Sequence, residues 1–191
     1  MRYIIYTLLL VLNFSCKSTD INWYLIENND QQSKHSDVFG YTSGYVDYKG
    51  DTIILLDKYI RCFTDTVKHY AIVLNTKNEL IGINRNEQKL FNAVWNGEGV
   101  PIGESDDMIM IMKNDKYGFA NNKGEIIIEP KYKCAFSFNE GIAKVSNDCS
   151  KSDDEHFRWI MNTWILIDKK GNIIKKNTTA NNGLQKWRNM W

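Results

Sequence analysis

Four cysteines, Cys16, Cys62, Cys134 and Cys149, are the most reactive side chains of this 191-residue chain. A thiol can ligate a metal, act as a nucleophile or close a disulfide, and its surroundings decide which. No Cys-x-x-Cys or Cys–His spacing occurs, so structural zinc is not expected. His35, His69 and His156 are scattered and suit exposed or strand-edge positions. Asp153-Asp154-Glu155-His156 lacks the alternating oxygen spacing and turn glycine of a calcium loop, which leaves a solvated loop. Nucleophile-elbow, phosphate-loop and His-Glu-x-x-His patterns are absent too, so catalytic, metal and cofactor residues are all expected to be none. The alternative is a hydrolase whose carboxylates converge only on folding, with Asp106, Asp107, Asp153 and Glu155 as its suspects. The Gly-Pro-rich stretch NGEGVPIGESDD (96–107) separates two strands, and long loops are where repeat proteins carry specificity. Asn96, Glu98, Glu104, Asp106 and Asp107 are therefore the candidate binding residues.

Cys16 stands apart because of what precedes it. Arg2 leads into the apolar run YIIYTLLLVL (3–12), and Leu12-Asn13-Phe14-Ser15 then places a small residue before the cysteine. Charge, short apolar core and small residue form an export-signal layout. Ten helical residues rise about 15 Å, half of a bilayer's hydrocarbon thickness, so cleavage is expected rather than a permanent span. The site resembles a bacterial lipobox, which implies diacylglycerol on Cys16 and membrane attachment through lipid. Asn13 departs from the leucine of the commonest box. A plain secretory signal ending near Ser15 would instead leave Cys16 as a free thiol. Without an aspartate after Cys16, the tether Lys17-Ser18-Thr19-Asp20 resembles those of outer-membrane lipoproteins. Export also permits disulfides, so a Cys134–Cys149 bridge with Cys62 left over is a possible pairing, and two buried free thiols are the alternative.

Arg2 is the one charge before Cys16, so the remaining chain balances 23 basic against 23 acidic residues, and no basic field exists to recruit nucleic acid. Aromatic residues at 13% with two prolines indicate a packed, strand-rich chain. Trp23, Trp95, Trp159 and Trp164 belong in its core unless exposed, where they would suit an envelope glycan.

The chain repeats itself. SGYVDYKGDTII (43–54) recurs as YGFANNKGEIII (117–128), with weaker copies GINRNEQKLF (82–91) and WILIDKKGNII (164–174). The turns fall at Gly50, Glu87, Gly124 and Gly171, spaced by 37, 37 and 47 residues. Each copy has the form of a β-hairpin: apolar strand, polar turn, β-branched return. Glycine tolerates the positive φ of such a turn, and Glu87 predicts a different turn or a bulge. In KYKCAFSFNEGIAKVS (131–146), Tyr132, Cys134, Phe136 and Phe138 alternate onto one expected core face, with Ala143 and Val145 returning on it after Gly141.

KYGFANNKGEIIIEPKYKCAFSFNEGIAKV resembles a WG repeat along almost its whole length. Tyr117 stands at the tryptophan position, followed by Gly118, the Lys123-Gly124 turn, Pro130-Lys131-Tyr132 and Ala143-Lys144-Val145. The order of units, with EHFRWIMNTWILIDKKG near the end, is similar to lipid-anchored proteins of that family. The resemblance implies a binding or scaffold role, with an unidentified envelope protein or glycan as partner. The expected fold is all-β, an array of hairpin repeats forming a twisted sheet or solenoid-like stack, preceded by a signal helix. The divisions are 1–15 signal peptide, 16–42 tether and cap, 43–174 repeat domain and 175–191 tail, where Trp187 and Trp191 could share one face of a closing helix.

Overall fold

A computed structural model describes residues 21–28, 42–151 and 159–177. The export segment, Cys16, His35, Asp153, Asp154, Glu155, His156, Trp187 and Trp191 lie outside them.

The described chain is all β, in antiparallel sheets built from successive hairpins. β1 (Trp23–Asn28), β2 (Thr42–Val46), β3 (Thr52–Ile54) and β5 (Thr66–Val67) form the first sheet, in the order β3-β2-β1-β5. β4 (Arg61–Cys62), β6 (Tyr70–Leu74), β7 (Leu80–Asn84), β8 (Lys89–Ala93), β9 (Met108–Lys113), β10 (Lys116–Asn121) and β11 (Ile126–Tyr132) form a seven-stranded sheet in which β6 to β11 meander in sequence order. β12 (Cys134–Ala135), β13 (Ile142–Ser146), β16 (Trp164–Asp168) and β17 (Ile173–Asn177) make the third, and β14 (Cys149–Lys151) with β15 (Trp159–Met161) a small ribbon. β1, within the 16–42 segment, pairs with both β2 and β5.

One local motif generates most of the hairpins. Asp47, Asn75, Asn84, Asn96, Asn121 and Asp168 each open a five-residue turn whose first N–H donates to the fifth carbonyl at 2.9–3.0 Å. In every copy the opening Oδ1 accepts the backbone N–H groups two and four residues on. The short Asx side chain thus satisfies donors that the turn leaves bare. The fourth residue takes a positive φ: Gly50, Asn78, Glu87, Gly99, Gly124 and Gly171. Of the two expectations for Glu87, the different turn fails, since it adopts the common one at φ 58°, while a register shift does interrupt its β7–β8 hairpin between Gly82 and Ile83. Its carboxylate is held by Lys58 Nζ at 2.7 Å and Tyr59 Oη at 3.0 Å, contacts that offset the strain of the left-handed backbone. Two-residue turns at Asp106-Asp107, Asn114-Asp115 and Glu140-Gly141, all with φ between 51° and 79°, make three further reversals.

The seven-stranded sheet buries both faces. Ala71, Val73, Ile81 and Ile83, with Cys62 of β4, pack on Trp23, Tyr45, Ile54 and Val67 of the first sheet. The register Ile81 to Asn92 to Met112 puts Met108 and Met110 on that same face, where with Phe119 and Ile128 they meet Tyr132, Ala135, Phe138, Ala143, Val145 and Ile167. The opposite face gathers Tyr70, Ile72, Leu80, Phe91, Ala93, Ile109, Ile111 and Ala120. The sheet coils strongly, since the turn after β10 reaches back four strands: a Cβ on Gly124 would lie 2.7 Å from Leu90 Cδ1 and 3.3 Å from Tyr70 Cδ1. This face thereby covers part of itself.

The expected alternation from Tyr132 to Phe138 is broken. Tyr132, Ala135 and Phe138 enter the cluster around Phe119 and Ile128, while Cys134, equally buried, pairs with the buried Ser146 on the opposite face, and Phe136 lies half-buried under Lys144. The phase slips at Lys133 because the chain there leaves one sheet for another, which resets the two-residue period. Cys134 and Cys149 are joined as a disulfide with Cα atoms 6.5 Å apart, fixing the β14–β15 ribbon to the third sheet. Asn147 Oδ1 accepts the Lys133 N–H and Ser146 Oγ accepts the Asp148 N–H, a kink that carries Cys149 back toward Cys134.

Candidate functional site

The loop singled out in the sequence is two tight turns. Asn96 Oδ1 closes the first, and Trp95 bridges to Pro101 across it. Ser105 pairs with Met108 around Asp106 and Asp107 in the second. Two hydrogen bonds then fasten the loop to the neighbouring repeat: Ser105 Oγ donates to the Phe138 carbonyl at 2.6 Å, and the Gly141 N–H donates to Asp106 Oδ2 at 2.7 Å. Asp107 is engaged by the Asn122 amide at 3.3 Å and by Lys169 at 3.6 Å.

Between these turns, residues 100–104 form one wall of an open cleft of about 950 Å³. The facing wall is the segment from Arg61 to Thr66, which crosses from the seven-stranded sheet to the first, together with Leu25 and Glu27 of β1. Tyr70, Ile72 and Ile109 contribute the apolar face between them. The volume lies near the top of the ~300–1,000 Å³ range of small-ligand sites.

Of the five candidate residues, Glu104 and Asp107 line this cleft, whereas Asn96, Glu98 and Asp106 serve the turns. Glu104 is fixed by the Tyr70 hydroxyl, which donates to its Oε1. Burial, and then this carboxylate, push the Tyr70 phenol well above its usual range, so it remains a donor. A single donor uses only part of a carboxylate's acceptor capacity. Arg61, Phe63, Tyr70 and Ile72 did not stand out in the sequence, because the strands that carry them meet the loop only after the sheet coils. Two turns were also missed, those at Asn78 and Gly99, although Asn75-x-x-Asn78 and Asn96-x-x-Gly99 carry the same signal as the recognised ones.

The described tryptophans are engaged by their own chain. Trp23 carries Arg85 over its ring at 5.5 Å, Trp159 carries Lys151 at 5.7 Å and Trp164 carries Lys144 at 5.3 Å. Trp95 is 38% exposed but meets Phe63 edge-on at 5.8 Å, and it stands outside the cleft lining. Cys62 is a buried free thiol whose pKa burial pushes up to about 12, so it is no nucleophile. Among the described residues no three of His, Cys, Asp and Glu gather as a metal site.

Comparison with curated proteins and with solved structures finds no match. Residues 117–148, which run from β10 through the Cys134 segment and β13, match the family described as WG containing repeat, so the segment with the clearest hairpin pattern is similar to that repeat in sequence.

Proposed function

We propose that this protein is a lipid-anchored, non-catalytic binding module of the cell envelope, attached through Cys16 and engaging its partner in the cleft between residues 61–66 and 100–104. The cleft is the observation that carries the reading. It is open, part apolar, and walled on one side by a loop that four polar contacts fasten to the rest of the fold, at Ser105, Asp106 and Asp107. A preorganised wall of this kind lowers the ordering cost of binding. The Cys134–Cys149 bridge fits an oxidising compartment, in keeping with export. Outer-membrane attachment is the sorting that the residues after Cys16 favour.

Two measurements test the reading. Metabolic labelling with a palmitate analogue should mark the full-length protein and be lost in Cys16→Ala; labelling that survives refutes the anchor. A photo-crosslinking amino acid at position 100, in intact cells, should yield a discrete protein adduct that the same group at position 49 does not. Identical products at both positions, or none at position 100, would remove the cleft as the binding site.

A further inference from the structure

We propose that Asn96-Gly97, in the turn that begins the loop wall of the cleft, is a self-modification site: the Gly97 nitrogen displaces the Asn96 side-chain amide as ammonia, and water then leaves aspartate or isoaspartate at position 96. The consequence for the cleft rests on the reading of the chain as a binding module; the chemistry does not.

The reaction needs only water. The Gly97 amide gives its proton to water or hydroxide and its nitrogen bonds Asn96 Cγ; the Cγ–Nδ2 bond breaks, and ammonia departs from a succinimide ring. Water then opens one ring carbonyl. Opening at Cγ restores the ordinary main chain with an aspartate, whereas opening at the main-chain carbonyl routes the chain through Cγ as isoaspartate.

Of the residues that open the Asx turns, Asn96 alone is followed by glycine, so no side chain shields the attacking nitrogen. Its counterparts are followed by Tyr48, Thr76, Arg85, Asn122 and Lys169. Residues 95–100 are exposed without interruption, and a Cβ on Gly97 would meet nothing within 4 Å. The turn is also the loosest of the set. In the others the fourth N–H donates to the first carbonyl at 2.9–3.0 Å, and among the described residues the Gly99 N–H makes no such bond. Gly97 takes φ 91°, where the second residue of the other turns stays negative, an orientation open to glycine. Among the described residues its N–H has no acceptor.

The amide under attack is held in place. Asn96 Oδ1, which takes up negative charge as the nitrogen adds, accepts the Glu98 N–H at 2.7 Å and, more distantly, the Val100 N–H at 3.4 Å; donors so placed stabilise a developing oxyanion. The ring closed by the Glu98 bond contains the Gly97 nitrogen, which keeps nucleophile and carbonyl together. The products then differ. Aspartate keeps the turn, as Asp47 and Asp168 do in theirs, and adds a charge beside Glu98. Isoaspartate inserts a methylene into the main chain between the Asn96 N–H and the Val100 carbonyl it bonds at 2.9 Å, which unseats the Trp95–Pro101 bridge and the wall at 100–104 behind it.

The test incubates the full-length protein in detergent micelles at physiological temperature, at neutral and mildly alkaline pH, and maps its peptides by mass spectrometry with fragmentation that separates isoaspartate from aspartate. Asn96 should convert about tenfold or more faster than Asn75, Asn84 and Asn121, which open the same turn without the glycine, and faster at the higher pH. Hydroxylamine, which cleaves a succinimide, should cut the chain after residue 96. Amide hydrogen exchange at 100–104 should rise in the isoaspartate fraction and not in Asn96→Asp. An intact Asn96, or one converted no faster than those three, overturns the proposal, whatever happens at Asn182-Gly183, a second such pair outside the described residues. Isoaspartate with unchanged exchange at 100–104 overturns its coupling to the cleft. Neither result bears on the position-100 adduct, so the binding module stands or falls separately.

Discussion

Gly118 shows how a single missing side chain shapes this molecule. A Cβ there would lie 2.3 Å from the Ile128 carbonyl oxygen and 2.6 Å from the Pro130 nitrogen, so the backbone of β11 crosses directly over it. Gly44 makes the same allowance for the Ile54 carbonyl, at 2.5 Å. Neither glycine is needed for its dihedral; both are needed for the approach. Gly118→Ala should therefore cost about 1–3 kcal/mol or more, while Gly103→Ala, with nothing within 4 Å and no positive φ, should be close to neutral. Urea unfolding of the two variants side by side checks this, and similar midpoints would contradict the crossing. Cys62 makes a prediction through pH. Its folded pKa is raised from 9.0 to about 12, so its contribution to stability is complete below pH 9 and is lost as the pH rises toward 12. The slope from one such group is at most ~1.4 kcal/mol per pH unit. Cys62→Ala should flatten the alkaline loss of stability from pH 9 upward, before the buried tyrosines add theirs; an unchanged slope would mean that the thiol is not held protonated.

Among the elements, the hairpins share one chemistry and differ in what ties them down. The Asx turn supplies its own hydrogen bonds, so a hairpin such as β10–β11 is locally specified. The β14–β15 ribbon has three cross-strand pairs, too few for independent stability, and the disulfide is what fastens it. A bridge with a sequence separation of 15 contributes about 3 kcal/mol on the chain-entropy account. The double change Cys134→Ser and Cys149→Ser, or added reductant, should lower stability by roughly 2–3 kcal/mol and expose backbone amides of β14 and β15 to hydrogen exchange. Exchange confined to other strands would show that the ribbon is held by something else.

Taken whole, the repeats do not stack as separate blocks. The seven-stranded sheet runs across the boundaries between units, and its faces contribute to all three buried clusters. A chain of independent repeats would unfold in steps, with nearest-neighbour coupling only. Here a shared sheet predicts one cooperative transition, so tryptophan fluorescence and far-ultraviolet circular dichroism should give coincident urea curves. Separated midpoints would show that the first and third sheets unfold apart from the second. The cleft belongs to this scale too, since its walls come from residues 61–66 and 100–104 and its floor from β6 and β9.

The sequence by itself determined the all-β class and the hairpin turns at Gly50, Glu87, Gly124 and Gly171, because strand alternation and the Asx-led turn are written within a few residues. It marked Glu104 and Asp107 as loop carboxylates worth attention. It placed Cys134 in the interior correctly but put it and Phe136 on one face with Tyr132 and Phe138, which fails because a change of sheet at Lys133 resets a period that is regular only within one strand. Tertiary structure alone decided that Tyr70 would hold Glu104 from 34 residues away and that Phe63 would face the loop. It also chose which tryptophans would be covered by lysine and arginine. Those outcomes depend on how far the sheet coils, a property summed over many strands that no short stretch of residues encodes.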